Sequence, residues 1–134
     1  MNREILFRGK RVDNGEWVYG CYVNCSGPGC QPDETKHYIV EYPNAWHEFY
    51  TPTRGEYTGL KDRNGKRIFE GDILRYDGET SIYDVRWDYH RWLVQMHGDY
   101  PTTPDDLDDF FCQYAEVIGN IHDGQELLEV TPNA

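Results

Sequence analysis

Glu56-Tyr57-Thr58-Gly59-Leu60-Lys61-Asp62-Arg63-Asn64-Gly65-Lys66-Arg67-Ile68-Phe69-Glu70-Gly71-Asp72-Ile73-Leu74-Arg75-Tyr76-Asp77 lies in the middle of a 134-residue chain and alternates turn signals with short apolar runs. Asp62 to Lys66 reads as a turn around Asn64-Gly65, since both residues tolerate the positive φ that tight turns require. Ile68-Phe69 then packs inward. Glu70-Gly71-Asp72 turns again, with Gly71 supplying backbone freedom, and Ile73 to Tyr76 enters a strand. Asp77-Gly78 closes a further hairpin. The return strand puts Tyr83, Val85 and Trp87 on one face and Ile82 on the other, Asp88 to Arg91 turns, and Trp92 to Met96 forms a third strand. A turn followed by three aromatic-bearing antiparallel strands predicts a mainly β protein: a small SH3-like barrel or curled antiparallel sheet, with one short helix still to be placed.

Toward the amino end, Ile5 and Phe7 alternate with charged positions, and Asp13-Asn14-Gly15 supplies a hairpin turn. The next run, Glu16 to Val23, sets Trp17, Tyr19, Cys21 and Val23 on one face and Val18 and Tyr22 on the other, as expected of a strand inside a sheet. Asn24 to Lys36 is polar and rich in Gly and Pro, and reads as a surface loop. His37 to Tyr42 resumes a strand that Pro43-Asn44 stops. Ala45 to Tyr50 is ambiguous, because Trp46, Phe49 and Tyr50 also fit one helical turn.

Toward the carboxyl end, Thr103 can cap a helix, Pro104 suits its first position, and Asp105 and Asp106 suit its first turn, where the helix dipole favours negative charge. Leu107, Phe110, Phe111 and Tyr114 follow as an apolar stripe at i, i+3, i+4 and i+7. Ala115 to Ile121 reads as a strand, and Gln125 to Val130 as a final short one. The simplest organisation is one domain over residues 1–134, with a subdivision near 51–56 as the alternative.

The net charge of −11 is uneven. Residues 1–98 carry 15 acidic and 13 basic side chains, whereas residues 99–134 carry nine acidic and none basic. That end repels phosphate backbones. Its simplest reading is a solvated face, with the acids near 105–109 serving the helix terminus; a surface for a basic partner is the sharper alternative. The apolar runs fall far short of the roughly 20 residues that span a bilayer, and Met1 to Ile5 leads into no secretory-signal core. The chain is therefore expected in the cytoplasm, away from membranes.

Four cysteines stand at 21, 25, 30 and 112, and free thiols are expected of them in that compartment. Cys21, Cys25 and Cys30 with His37 would make a zinc site only at spacings looser than the tight pair that marks one, so no metal is expected. No phosphate-binding glycine loop, nucleophile elbow or His-Glu-x-x-His motif occurs. Asp88 and His90, with His97 nearby, form at best an acid–base pair in a hairpin turn where polar residues belong anyway. No catalytic residue and no cofactor are expected. Lys61, Arg63, Lys66 and Arg67, with Tyr57 or Tyr76 as stacking groups, are the candidate nucleic-acid-binding set.

Three segments resemble the YopX protein family of phages and prophages. Arg3 to Arg8 followed by Trp17-Val18-Tyr19-Gly20 is similar to the family's opening, Tyr57 to Leu74 to its most specific stretch, and Glu116 to His122 followed by Glu126-Leu127-Leu128 to its closing motif. The loop at 24–36 departs from the pattern. The resemblance implies a phage or prophage origin, a bacterial host cytoplasm and a mainly β fold, and carries no established activity, cofactor or catalytic residue. The leading expectation is an accessory protein that acts without catalysis through contacts with an unknown protein partner or a second copy of itself. A small nucleic-acid-binding barrel using the basic turn at 61–67 is the alternative.

Overall fold

The computed structural model describes residues 4–25, 36–77, 81–97 and 103–123. Residues 26–35 of the loop expected at 24–36, with Cys30, the side chain of Cys25, Gly78 and the final strand expected at 125–130 lie outside these residues, while Asn24 and Lys36 at the ends of that loop are strand. Over the described residues the protein is mainly β, with antiparallel sheets and one short helix, as the sequence predicts. Its backbone forms two compact units, Met1–Tyr57 and Thr58–Ala134.

In the first unit, β1 (Phe7–Arg11) and β2 (Trp17–Cys25) form a hairpin. Its turn closes where Gly15 takes a φ of 72° and its N–H donates to the Arg11 carbonyl at 2.9 Å. β3 (Lys36–Glu41) pairs with β2, and β4 (Ala45–Lys61) pairs with β3. β4 also pairs with β1, so this sheet partly closes into a ring. The core holds Val18, Ile39 and Phe49, with Phe7 and Tyr22 packed against them. Phe49 lies so close to Gly9 that any side chain there would run into its ring, and a Cβ at Gly20 would meet the Val40 carbonyl.

Two open readings are settled here. Ala45 to Tyr50 is strand, not helical turn: Phe49 is 3% exposed, while Trp46 and Tyr50 face outward. In β2 the buried side is that of Val18 and Tyr22, and Tyr19 and Cys21 are exposed. Aromatics on both sides of a strand leave its alternation unable to say which face is inward. The closure of the sheet decides it.

In the second unit, β5 (Arg67–Phe69) pairs with β4. A separate sheet runs in the order β10 (Ala115–Asn120), β6 (Asp72–Tyr76), β7 (Ile82–Asp88), β8 (Arg91–His97) and β9 (Asp105–Asp106). Ile68, Leu74, Tyr83, Val85, Val94, Leu107, Cys112 and Ala115 form its core. Gly65 and Gly71 take φ values of 81° and 89°, as their turns require.

The helix α1 (Asp109–Cys112) is shorter than the apolar stripe predicts and starts later. Asp108, not Thr103, caps it, accepting a 2.9 Å hydrogen bond from the Phe111 N–H. Asp105 and Asp106 pair instead with Val94 and Leu93 as an edge strand. Leu107 and Cys112 are buried and Phe111 half-buried, whereas Phe110 points to solvent.

Candidate interaction surface

The motif-rich turn at 58–74 is held by side chains bonding to backbone. The Thr58 hydroxyl donates to the Ile68 carbonyl at 2.8 Å. The Asp72 carboxylate accepts from the Phe69 N–H at 2.7 Å. Asp62, 6% exposed, accepts from the N–H groups of Asn64, Lys66 and Val117, each at 2.9 Å. One carboxylate therefore shapes the turn and ties it to β10, 55 residues away in sequence.

Within that turn, Lys61, Arg63, Lys66 and Arg67 are all exposed. Arg63 is engaged with acids: its guanidinium donates to Glu116 at 2.8 Å and to Asp77 at 3.1 Å. Those bonds, Glu116 first, raise its pKa further. Tyr57 is 4% exposed and belongs to the first unit. Tyr76 is half-buried, with its ring centroid 5.1 Å from that of Phe111 and 5.7 Å from that of Tyr114.

Of the groups considered for metal or acid–base chemistry, Cys21 is exposed on the outer side of β2. His37 Nδ1 is hydrogen-bonded to the Tyr22 hydroxyl at 2.5 Å. Among the described residues no group of three or more His, Cys, Asp or Glu is placed to hold a metal ion. His90 is exposed in the β7–β8 turn, and Asp88 lies 3.8 Å from Arg91. His97 pairs with Asp84, a partner the sequence did not point to. Asp84 is nearly buried and also accepts a 2.7 Å bond from Arg86, whose pKa that bond raises. The pairing follows from register: Asp84 sits opposite Gln95, so His97 is its diagonal neighbour.

Exposed aromatics are the most distinctive surface feature. The first unit shows Tyr19, Trp46 and Tyr50, with Trp46 56% exposed and packed edge-on against Tyr38 at 5.5 Å. The second unit shows Trp87 beside Trp92 at 4.9 Å, Tyr89 at the hairpin tip, and Phe110 beside Tyr114 at 5.7 Å. Backbone edges are far less available. The first sheet pairs β1 with both β2 and β4. In the second, Arg63 N–H bonds the Ala115 carbonyl and Asp62 takes the Val117 N–H along β10. The opposite edge, β9, is two exposed aspartates, and charge discourages strand pairing there.

The fold and surface thus define a class: an antiparallel β protein with one partly closed sheet, one open sheet and several aromatic side chains that face outward. The chain belongs to the YopX protein family, whose sequence model matches residues 6–129. Comparison with curated proteins gives no match. Among solved structures, protein EF1440 from Enterococcus faecalis is similar, at 24% identity and a TM-score of 0.54, over 95% of this chain and 99% of that one. That likeness is one of fold. Among the described residues no helix is long and apolar enough to cross a membrane.

Proposed function

We propose that this is a phage or prophage accessory protein that acts in the cytoplasm of a bacterial host by binding protein, without catalysis, through its exposed aromatic side chains. The outward aromatics carry the reading, because such side chains anchor interfaces at low entropic cost. The partner is another protein or a second copy of this chain. Two aspartates on β9 and the bonds from the 62–63 turn to β10 disfavour strand addition at the edges of the second sheet, which supports contact through side chains.

Light scattering and affinity capture on wild type and on Trp46→Ser with Tyr50→Ser test this. The expected result is a mass above the 15.8 kDa monomer, or a specific captured partner, lost on substitution of the aromatics while circular dichroism is unchanged. A strictly monomeric protein that retains no specific partner refutes it. Lys61, Lys66 and Arg67 share one exposed turn and sustain the nucleic-acid alternative. Its test is salt-sensitive binding of single strands that disappears when these side chains and Arg63 are neutralised.

A further inference from the structure

Residues 103–123 contain six carboxylates and no lysine or arginine. The helix accounts for only two of them. Asp108 is the cap and Asp109 lies in the first turn, while Asp105 and Asp106 precede the helix as strand. Asp106 is bound to Arg91 at 2.7 Å. Asp105 and Asp109 have no ion-pair partner among the described residues. The field of these groups reaches inward: the Cys112 thiol is pushed up to about 12, first by burial and then by Asp109, Asp108 and Asp62.

The outer side of this helix and its cap carries two exposed aromatics beside Asp109 and Gln113. Phe110 is 67% exposed and Tyr114 39% exposed, and they meet edge-to-face at 5.7 Å. Phe111, one residue on, is the inward anchor, with its ring 5.2 Å from that of Tyr83. An exposed aromatic pair that directly follows four exposed aspartates, at 105, 106, 108 and 109, selects its occupant by charge. A nucleic acid or an anionic lipid surface is repelled, and a second copy would bring the same negative face.

We propose that the Phe110–Tyr114 face docks a basic protein segment, one rich in Lys and Arg that also carries a bulky apolar side chain to pack on the two rings. The inference rests on the protein-binding reading above and names the partner's chemistry at one of its surfaces. Cation and apolar group act together: the carboxylates draw the segment in and favour its charge, and the rings fix its register.

The test uses the full chain and a fluorescent synthetic peptide of alternating Lys, Arg and Leu, with a control peptide of equal charge in which every Leu is Ser. Anisotropy at low salt is expected to show the Leu peptide binding about tenfold tighter than the control, a difference of about 1.4 kcal/mol. Phe110→Ser should erase that preference, since the side chain is exposed and the fold does not need it. Asp105→Asn with Asp109→Asn should weaken both peptides, and Val12→Ser, an exposed position in the first unit, neither. Equal binding of the two peptides with no effect of Phe110→Ser overturns the proposal, as does no binding at low salt. If the peptides fail but the Trp46 and Tyr50 substitutions still abolish an assembly, only the partner chemistry is wrong. If both experiments fail, the protein-binding reading falls with it.

Discussion

Replacing Asp62 by alanine removes one carboxylate and three hydrogen bonds at a stroke. Two of the donors, Asn64 and Lys66, lie in an exposed turn where water can replace the lost acceptor. The third, Val117 N–H, is half-buried on β10, where water is a poorer substitute. Hydrogen bonds to charged groups contribute about 1.5–3 kcal/mol each, with hydrated donors at or below the low end. Summed with that discount, Asp62→Ala should lower stability by about 3–4 kcal/mol. Asp62→Asn keeps a carbonyl oxygen for the turn but turns an N–H donor toward the Val117 N–H. Its cost should be about 2 kcal/mol, concentrated at the β10 contact. Urea unfolding of both variants measures the magnitudes, and hydrogen exchange at Val117 locates the loss. A cost below about 1 kcal/mol for the alanine variant, or an asparagine variant with wild-type stability and Val117 protection, would refute the clamp role.

Gly20→Ala should destabilise by about 2 kcal/mol or more through collision with the Val40 carbonyl, while Gly15→Ala, with open space around it, should cost about 1 kcal/mol from its φ alone; equal effects in thermal melts would contradict the packing of the first sheet. Phe111→Ala should cost about 2–3 kcal/mol and Phe110→Ala under about 0.5 kcal/mol, measured by urea unfolding; the reverse order would put the wrong face of the helix inward. Cys112 makes stability pH-dependent. Its folded pKa is raised to about 12, above its unfolded value of about 8.5, so its contribution is intact below the unfolded value and is lost as pH rises from there through the folded one. The slope in that window approaches about 1.4 kcal/mol per pH unit. Wild type should therefore lose stability between pH 9 and 11 faster than Cys112→Ala does, and parallel profiles would show that the thiol is not protected.

What could be read from the sequence was what is decided over a few residues. Asn64-Gly65 and Asp13-Asn14-Gly15 turn because of backbone conformations available to those residues themselves, and the β7–β8 hairpin announces itself by its own alternation. The same holds for mainly β character, since aromatic and β-branched runs between turns favour strands wherever they occur. The stretch at 57–74 that carries most of the family resemblance was equally visible, but the role of Asp62 within it was not. Its third donor comes from β10, and nothing local says that Val117 will be there.

The tertiary structure decided everything that depends on which surface is covered. Ala45 to Tyr50 carried helical spacing, yet pairing with β3 and β1 satisfies its backbone as strand and turns Phe49 inward. The stripe Leu107, Phe110, Phe111 and Tyr114 suggested a longer helix, but β8 recruited Asp105 and Asp106 as strand and left one helical turn with Phe110 outside. That change removed the helix-terminus reason for two of the acids. Asp84 and His97 met only because β7 and β8 align in one register. Turn chemistry is a property of neighbours along the chain, so sequence determines it. Burial and partnership are properties of neighbours in space, and only the folded sheets bring those neighbours together.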